Sequence, residues 1–506
     1  MVVAGVIVSY ANALGRSTAN ASNGSRSDIA VAMETDSSPN ILWLCTDQQR
    51  HDTIHALGNG LIRTPHVDRL VEQGVAFTQA YCQSPVCTPS RASFLTGRYP
   101  RTTRCRQNGQ KIPADEITVS RMFSDAGYHC GLAGKLHLSS CSDGKVESRI
   151  EDGYHDFRWS HHPQPDWPEN AYTQWLNSKE QTWDKLYAGP STGYVKEGVP
   201  AEFHQTTWCA EMAIDFIRSN QGRPWFFSFN CFDPHHPFDP PAKYLANYDP
   251  DDMPLPKVQE GELDSKTTFQ QLDAQWAHNN PGEFHTGAMT DDDRRQVTAA
   301  YYAMCELIDD QVGRVMRTLD ETGQRDHTIV IFMSDHGEML GDHGLYFKGP
   351  HFYDATVRVP LVISWPRCFQ SNLRVTGLTE LVDLVPTLLE ACGLEIPSRV
   401  QGRSLVPHLT GQADPQQHRD HVFSEYYNSW THKNAYGTML RTVTEKITVY
   451  HGSDQGELYD LQTDPDEFEN LWDRADHQTL KTDLIRRCFD ASVFGMDPEP
   501  PRLGPF

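Results

Sequence analysis

The chain has 506 residues, with 67 Asp and Glu against 44 Lys and Arg, for a formal charge of −23. That acidity argues against nucleic-acid binding and against attraction to anionic membrane surfaces, so an anionic substrate would need a locally positive pocket. The length suits one large α/β domain with an appendage, and 22% charged with 38% hydrophobic residues is ordinary for a globular enzyme.

Residues 2–10 are apolar and precede Ala11-Asn12-Ala13, a small-residue cleavage pattern, but no Lys or Arg comes before them. Export is left open: the protein is periplasmic or secreted if this stretch is a signal peptide, and cytoplasmic otherwise. Residues 16–38 are rich in Ser, Asn and Thr and are expected to be disordered. No apolar segment approaches the ~20 residues of a membrane span.

Four apolar runs then end in chemically useful residues. Residues 41–46 lead to Asp47 and Gln48, 128–133 to Lys135 and His137, 225–230 to His235, and 328–333 to Asp335 and His336. Runs of about six residues rich in β-branched and aromatic types read as strands buried on both faces. Such strands belong to a large, mostly parallel (mixed) sheet sandwiched by helices, an α/β fold. Ligands of open α/β sheets bind beyond the strand carboxyl ends, so the four tails are expected to converge.

Between the first two runs lies Cys87-Thr88-Pro89-Ser90-Arg91, closed by Leu95-Thr96-Gly97-Arg98. Pro89 suits a first helical turn, and Arg91 follows Cys87 by four residues, over the same face. A thiol at a helix start beside a guanidinium has a lowered pKa and is a candidate nucleophile.

Farther on, apolar residues at three- and four-residue steps from Val297 to Leu319 predict a helix over 294–320, stopped by Gly323. Residues 383–392 predict another, with Pro386 in its first turn and Gly393 after its end. Residues 240–292 are polar, irregular and rich in Pro and Asp, and read as a long insertion over the sheet edge. Beyond a composition shift at 411–419, residues 437–441, 446–450 and 456–461 read as short strands and 473–489 as a helix. The expected organisation is a disordered or signal-like segment (1–38), a catalytic domain (39–410) and a small C-terminal subdomain (411–506) of antiparallel sheet plus helix. The 12 cysteines are scattered, without zinc-type double C-x-x-C pairing, and most read as small buried hydrophobes.

At the strand ends, Asp47 and Asp335 are carboxylates, Gln48 offers an amide oxygen and His336 an imidazole. A hard divalent cation takes several oxygen ligands, so Ca²⁺, Mg²⁺ and Mn²⁺ all suit the set. The imidazole draws the choice toward Mn²⁺ without excluding Ca²⁺. One Asp at a strand end is often only a helix cap. Two dyads in similar positions, together with the cysteine run, argue for a site.

The run from Cys87 to Arg98 resembles the signature of the type I, formylglycine-dependent sulfatases of the alkaline phosphatase superfamily. The resemblance implies that fold, and oxidation of Cys87 to Cα-formylglycine by a formylglycine-generating or anaerobic maturase. The aldehyde hydrates to a diol; one hydroxyl attacks sulfur and expels the alcohol, and the second collapses back to the aldehyde, expelling sulfate. By the same resemblance Asp47, Gln48, Asp335, His336 and the modified Cys87 bind one divalent cation, Ca²⁺ first, with Mn²⁺ or Mg²⁺ as alternatives. Arg91 orients the diol. Lys135, in Gly134-Lys135-Leu136-His137, bridges formylglycine and a sulfate oxygen, and His137 holds or deprotonates the diol. His235, in Pro234-His235-His236-Pro237, hydrogen-bonds the sulfate or protonates the leaving oxygen. Lys348 matches the lysine downstream of the late metal dyad. His236 and His343 sit beside matched positions and stay outside the set.

Arg358-Val359-Pro360-Leu361, Asp383-Leu384-Val385-Pro386-Thr387 and Glu457-Leu458-Tyr459-Asp460-Leu461 are further landmarks of the resemblance. Many members carry a second Asp where this chain has Gln48, and Asn where it has His336. The Asp-Gln and Asp-His variants look like the choline-sulfatase and phosphonate-monoester-hydrolase branches and like many bacterial carbohydrate sulfatases. The expected activity is hydrolysis of a sulfate ester, with a sulfated small molecule or carbohydrate as partner and carbohydrate preferred. The insertion and appendage would supply Trp276, His278, His285, Tyr426, Tyr427, Trp430, His432 and Lys433 to an extended cleft. The rivals are a phosphonate or phosphate ester hydrolase, a choline-sulfatase-like enzyme, and an unmatured binding or scaffold protein, which loss of a metal ligand or of the motif's Pro or Arg would favour; none is lost.

Overall fold

The computed structural model describes residues 38–142, 144–162, 167–187, 191–279, 284–429 and 434–499. Residues 1–37, and Trp430, His432 and Lys433 of the expected cleft, lie outside the described residues. Eight strands form the main sheet: β1 Asn40–Thr46, β2 Val75–Phe77, β3 His129–Gly134, β4 Asp156–Trp159, β5 Trp225–Asn230, β6 Thr328–Ser334, β7 Leu361–Ser364 and β8 Leu373–Val375. Their order is β8-β2-β7-β6-β1-β5-β3-β4. Strand β7 opposes both its neighbours, and the other pairings are parallel.

Each central strand feeds two cores. Ile41, Trp43 and Cys45 enter one, and Leu42 and Leu44 the other; Ile329, Ile331 and Met333 divide from Val330 and Phe332 in the same way. Burial on both faces is why these strands read as unbroken apolar runs. Helices α1 Cys87–Thr96 and α4 Leu384–Ala391 cover the first face with Phe94, Leu95, Leu384 and Leu388. Helices α2 Gln205–Ser219 and α3 Asp291–Glu321 cover the second with Trp208, Ala213, Ile308 and Val315. Helix α3 begins three residues before its predicted start at 294. Thr290 and Asp293 form a capping box, and three aspartates fill the first turn at the positive end of the helix dipole.

Residues 240–292 are more ordered than their composition suggests. Thr268–Asn279 is a 12-residue helix carrying positions 276 and 278. The segment packs on α3, on the loop after β6 and on the C-terminal sheet. Gln270 bonds Tyr353 and Glu457, Lys266 donates to the Tyr459 hydroxyl, and His343 meets Glu262 at 2.8 Å. Tyr244, Tyr248, Met253 and Met289 pack on α3, but they are widely and irregularly spaced, so the segment leaves no hydrophobic period to read.

Strands β9 Val422–Tyr427, β10 Tyr436–Arg441, β11 Glu445–Tyr450 and β12 Gly456–Asp460 form an antiparallel sheet in sequence order, with α5 Gln478–Phe494. Phe423, Leu440, Ile447 and Leu458 pack with Leu484 and Cys488 of α5. The opposite face sends Val422, Tyr426 and Met439 into the main core. Tyr426 is therefore a core residue rather than a sugar platform, and Tyr427 lies under the Arg106 guanidinium at 3.6 Å. None of the 12 cysteines, all among the described residues, is in a disulfide. Among the described residues no helix is long and apolar enough to cross a membrane.

Register decides where the strand tails go. Thr46 faces Ser334, Cys45 faces Asn230, and Asn230 faces Gly134. Strands β6, β1, β5 and β3 therefore end level, and their polar tails emerge side by side. Gly134 closes β3 at φ 107°, where an added Cβ would stand 1.8 Å from the Asn230 carbonyl oxygen. Gly134→Ala should lower the free energy of unfolding by about 3 kcal/mol, read as a shift of the denaturant midpoint.

Candidate active site and metal-ligand cluster

The level ends of β1 and β6 set Asp47 beside Asp335. The Asp335 amide donates to the Thr46 carbonyl at 3.3 Å. The amides of Gln48 and His336 both donate to Asp335 Oδ1, at 3.0 and 2.9 Å. Gln48 holds a left-handed backbone (φ 66°), a strain of about 1–3 kcal/mol for a residue with a Cβ.

Helix α1 brings the cysteine. All ten of its residues are buried, so it turns no face to solvent. Gly97 ends it in the left-handed region, and Ser90 Oγ ties it to the end of β6 by donating to the Asp335 carbonyl at 2.6 Å. Cys87 stands first in the helix, its Sγ 3.1 Å from His336 Nε2 and 3.8 Å from Asp47 Oδ1. One turn on, Arg91 donates to Asp335 Oδ2 at 2.8 Å, to Asp47 Oδ2 at 3.4 Å and to the Lys135 carbonyl at 2.8 Å. Its guanidinium thus braces the two carboxylates and the β3 tail together. Lys135 Nζ pairs with Asp47 Oδ2.

His137 also takes a left-handed backbone, φ 59°. The turn it begins wraps a buried carboxylate: Glu147 accepts from the amides of His137, Leu138 and Ser139 and from Trp159 Nε1, at 2.7–3.1 Å. Nothing in the local sequence marks Glu147, because three of its partners are backbone amides and the fourth, Trp159, is twelve residues away. On the other side, Lys348 Nζ pairs with Gln48 Oε1 and lies 2.7 Å from His235 Nε2. Gln48 Nε2 donates to the buried Glu338, which also accepts from the amides of Leu340 and Phe347. Glu338 belongs to the polar tail of β6, the one signal that could have singled it out. His235 Nδ1 lies 2.6 Å from the His236 carbonyl oxygen, so with Lys348 donating, its Nε2 is the acceptor. The His236 ring stacks on His235 at 4.1 Å, whereas His343 is held by Glu262 and stacked on Tyr353.

Charge is arranged against a strong burial penalty. Burial pushes the Asp47 carboxyl up, but Lys135 and Arg91 outweigh it and hold the group well below the ordinary range. Burial and Asp47 raise the Cys87 thiol, while Lys135, Lys348 and His336 lower it by more. Burial lowers His336, yet Asp335 and Cys87 bring it above its usual value. Burial first, then the neighbouring lysines, holds His137 and His235 well below their usual value, so both imidazoles are neutral. Arg91, Lys135 and Lys348 thus face two buried carboxylates and form the positive pocket that an anionic substrate requires.

Asp47, Cys87, Asp335 and His336 each present a ligand atom, all within 4.8 Å of one another and all buried. Two carboxylates and an imidazole are a donor set that fits a hard or borderline divalent cation. The Gln48 side-chain oxygen is taken up by Lys348 in this arrangement.

The sequence matches the Sulfatase family over residues 39–394 and the N-sulphoglucosamine sulphohydrolase C-terminal family over 341–492. It is 29% identical to an arylsulfatase of Clostridium perfringens over 490 residues, spanning 91% of this chain and 95% of that one. It is 24% identical to an N-acetylglucosamine-6-O-sulfatase of Bacteroides thetaiotaomicron over 504 residues, 88% of this chain and 85% of the other. Its fold matches the crystal structure of the phosphonate monoester hydrolase of Agrobacterium radiobacter with a TM-score of 0.80 and 26% identity, covering 91% and 96% of the two chains. The family match covers well over half of the chain, including every residue of the cluster, so this protein belongs to the sulfatase family of the alkaline phosphatase superfamily and is a sulfatase.

Proposed function

We propose that the protein hydrolyses sulfate esters of a carbohydrate, with Cys87 matured to Cα-formylglycine by a formylglycine-generating or anaerobic maturase. The single observation that carries this reading is the position of Cys87: first in a buried helix, 3.1 Å from His336, beside Asp47, and facing lysines 135 and 348. Asp47, Asp335 and His336 would hold the divalent cation, with the modified Cys87 and, after a shift of its amide, Gln48. The cation supplies Lewis-acid stabilisation of developing negative charge, and the hydrated formylglycine supplies the nucleophilic hydroxyl.

The chain's own groups do the rest. Arg91 fixes the spacing of the carboxylates. Lys135 and Lys348 offer ammonium groups to the sulfate oxygens as charge shifts toward the leaving group. Neutral His137 can take a proton from the reacting hydroxyl. His235 holds its proton on Nδ1 and accepts at Nε2, so the proton for the departing oxygen comes from the Lys348 ammonium beside it. A cleft of about 380 Å³ opens beside His235, walled by Trp183, Tyr187, Phe232 and Pro237. Trp183 and Tyr187 stack at 4.7 Å, an aromatic wall suited to a sugar ring. The N-acetylglucosamine sulfatase relative supports that substrate class.

Phosphonate monoester hydrolysis is the second reading, favoured by the TM-score of 0.80 to the Agrobacterium enzyme. Parallel kcat/KM values on sulfate and phosphonate monoesters separate the two, and a higher value on the phosphonate would reverse the preference.

Three outcomes are expected. Cys87→Ala lowers kcat by about 1000-fold or more, the order seen when a covalent nucleophile is removed; activity within tenfold of wild type would mean another nucleophile. Exhaustive chelation abolishes turnover and added Ca²⁺, Mn²⁺ or Mg²⁺ restores it, with metal content checked by mass spectrometry. Glu147→Gln turns an amide NH₂ toward backbone donors, misplaces His137 and lowers kcat by about 100-fold with KM little changed.

A further inference from the structure

A second cluster stands beside the catalytic one. His137, Cys141 and His161 bring one ligand atom each within 4.8 Å of one another. His137 Nδ1 and His161 Nε2 are buried and have no hydrogen-bond partner. A buried polar atom left unpaired costs about 1–3 kcal/mol, so two such atoms on neighbouring rings leave room for a ligand that satisfies both. The rings meet edge to face, their centroids 4.4 Å apart. His161 Nδ1 lies 2.7 Å from His162 Nδ1. When His161 donates there, its Nε2 carries the free lone pair, the device that orients metal-binding imidazoles.

The donor chemistry selects the ligand. Burial, helped by Lys135, keeps both imidazoles neutral, the form that binds metal. Cys141 and His161 are half-buried, so the cluster has a path to solvent. Burial also raises the Cys141 thiol to about 12, and a bound cation would release that proton to water as the thiolate forms. Two imidazoles and one thiolate suit Zn²⁺ and disfavour Ca²⁺ and Mg²⁺, which take oxygen ligands. The carboxylate-rich cluster around Asp47 has the opposite preference.

We propose that His137, Cys141 and His161 form a second, inhibitory site for Zn²⁺, distinct from the hard-cation cluster. The binding stands on this geometry alone; its effect on turnover rests on the role proposed above for His137. With its ring held by Zn²⁺, His137 can no longer serve the reacting hydroxyl.

The test uses the full-length enzyme with excess Ca²⁺ present and Co²⁺ as the spectroscopic probe. Wild type should take up one further equivalent of Co²⁺ with a thiolate-to-cobalt charge-transfer band, and Cys141→Ala and His161→Ala should each lose it. Zn²⁺ should lower wild-type turnover by about tenfold or more at a concentration that leaves Cys141→Ala within about twofold of its own rate in Ca²⁺ without Zn²⁺. Equal stoichiometry and an unchanged band in both variants would overturn the site. Binding that depends on Cys141 and His161 but leaves wild-type turnover untouched would overturn the inhibition, and with it the role of His137, while the Cys87 assignment keeps its own test.

Discussion

Two fully buried carboxylates at the ends of adjacent strands, Asp47 and Asp335, are the constraint around which this molecule is arranged. Neither could stay ionised there without compensation, and losing one partner of such a buried set costs about 3–5 kcal/mol. Compensation comes from three directions. Arg91 arrives on a helix and bridges both carboxylates, and Lys135 arrives on the end of β3. Backbone amides of Gln48 and His336 cover the remaining Asp335 oxygen. A divalent cation would complete the set, and the free faces of the carboxylates point toward Cys87 and His336.

The turns that follow the strands are strained to serve that cluster. Gln48 and His137 both carry positive φ without being glycine. Such backbone persists only where its surroundings over-determine it. Here the surroundings are buried carboxylates acting as templates. Asp335 gathers one amide from each of the turns after β1 and β6, and Glu147 gathers three amides and an indole N–H at the turn after β3. The cost of burying Glu147, seen in its raised carboxyl pKa, is set against four hydrogen bonds that place His137.

The C-terminal sheet belongs to the same economy of burial. One of its faces is covered by α5, while Tyr426 and Met439 enter the main core. Charged groups lock the junction: Lys446 pairs with Asp354 and Glu467, and Arg419 pairs with Asp383 and Glu380. Asp354 lies in the stretch that follows Lys348, so the sheet steadies the segment carrying that lysine. The 240–292 segment closes the other side through Gln270 and Lys266.

Much of this was legible from local pattern. The apolar runs at 41–46, 128–133, 225–230 and 328–333 appear within a residue of their predicted ends, because strands buried on both faces need unbroken hydrophobicity. The cysteine run and the chemistry-bearing tails were likewise readable from residue type and spacing. Other elements were not. Strand β9 mixes Ser424 and Glu425 among apolar residues, and the Thr268–Asn279 helix is pinned by polar contacts, so neither has a clear period. The sequence by itself determined which groups were available and that they sit at strand and helix ends. Only the tertiary structure decided which atoms meet: Arg91 on two carboxylates, Glu147 under His137, Glu338 behind Gln48, and His161 against His137. The reason is physical. Convergence depends on parallel register between strands up to nearly three hundred residues apart (Thr46 facing Ser334), and no local pattern encodes a pairing over that distance.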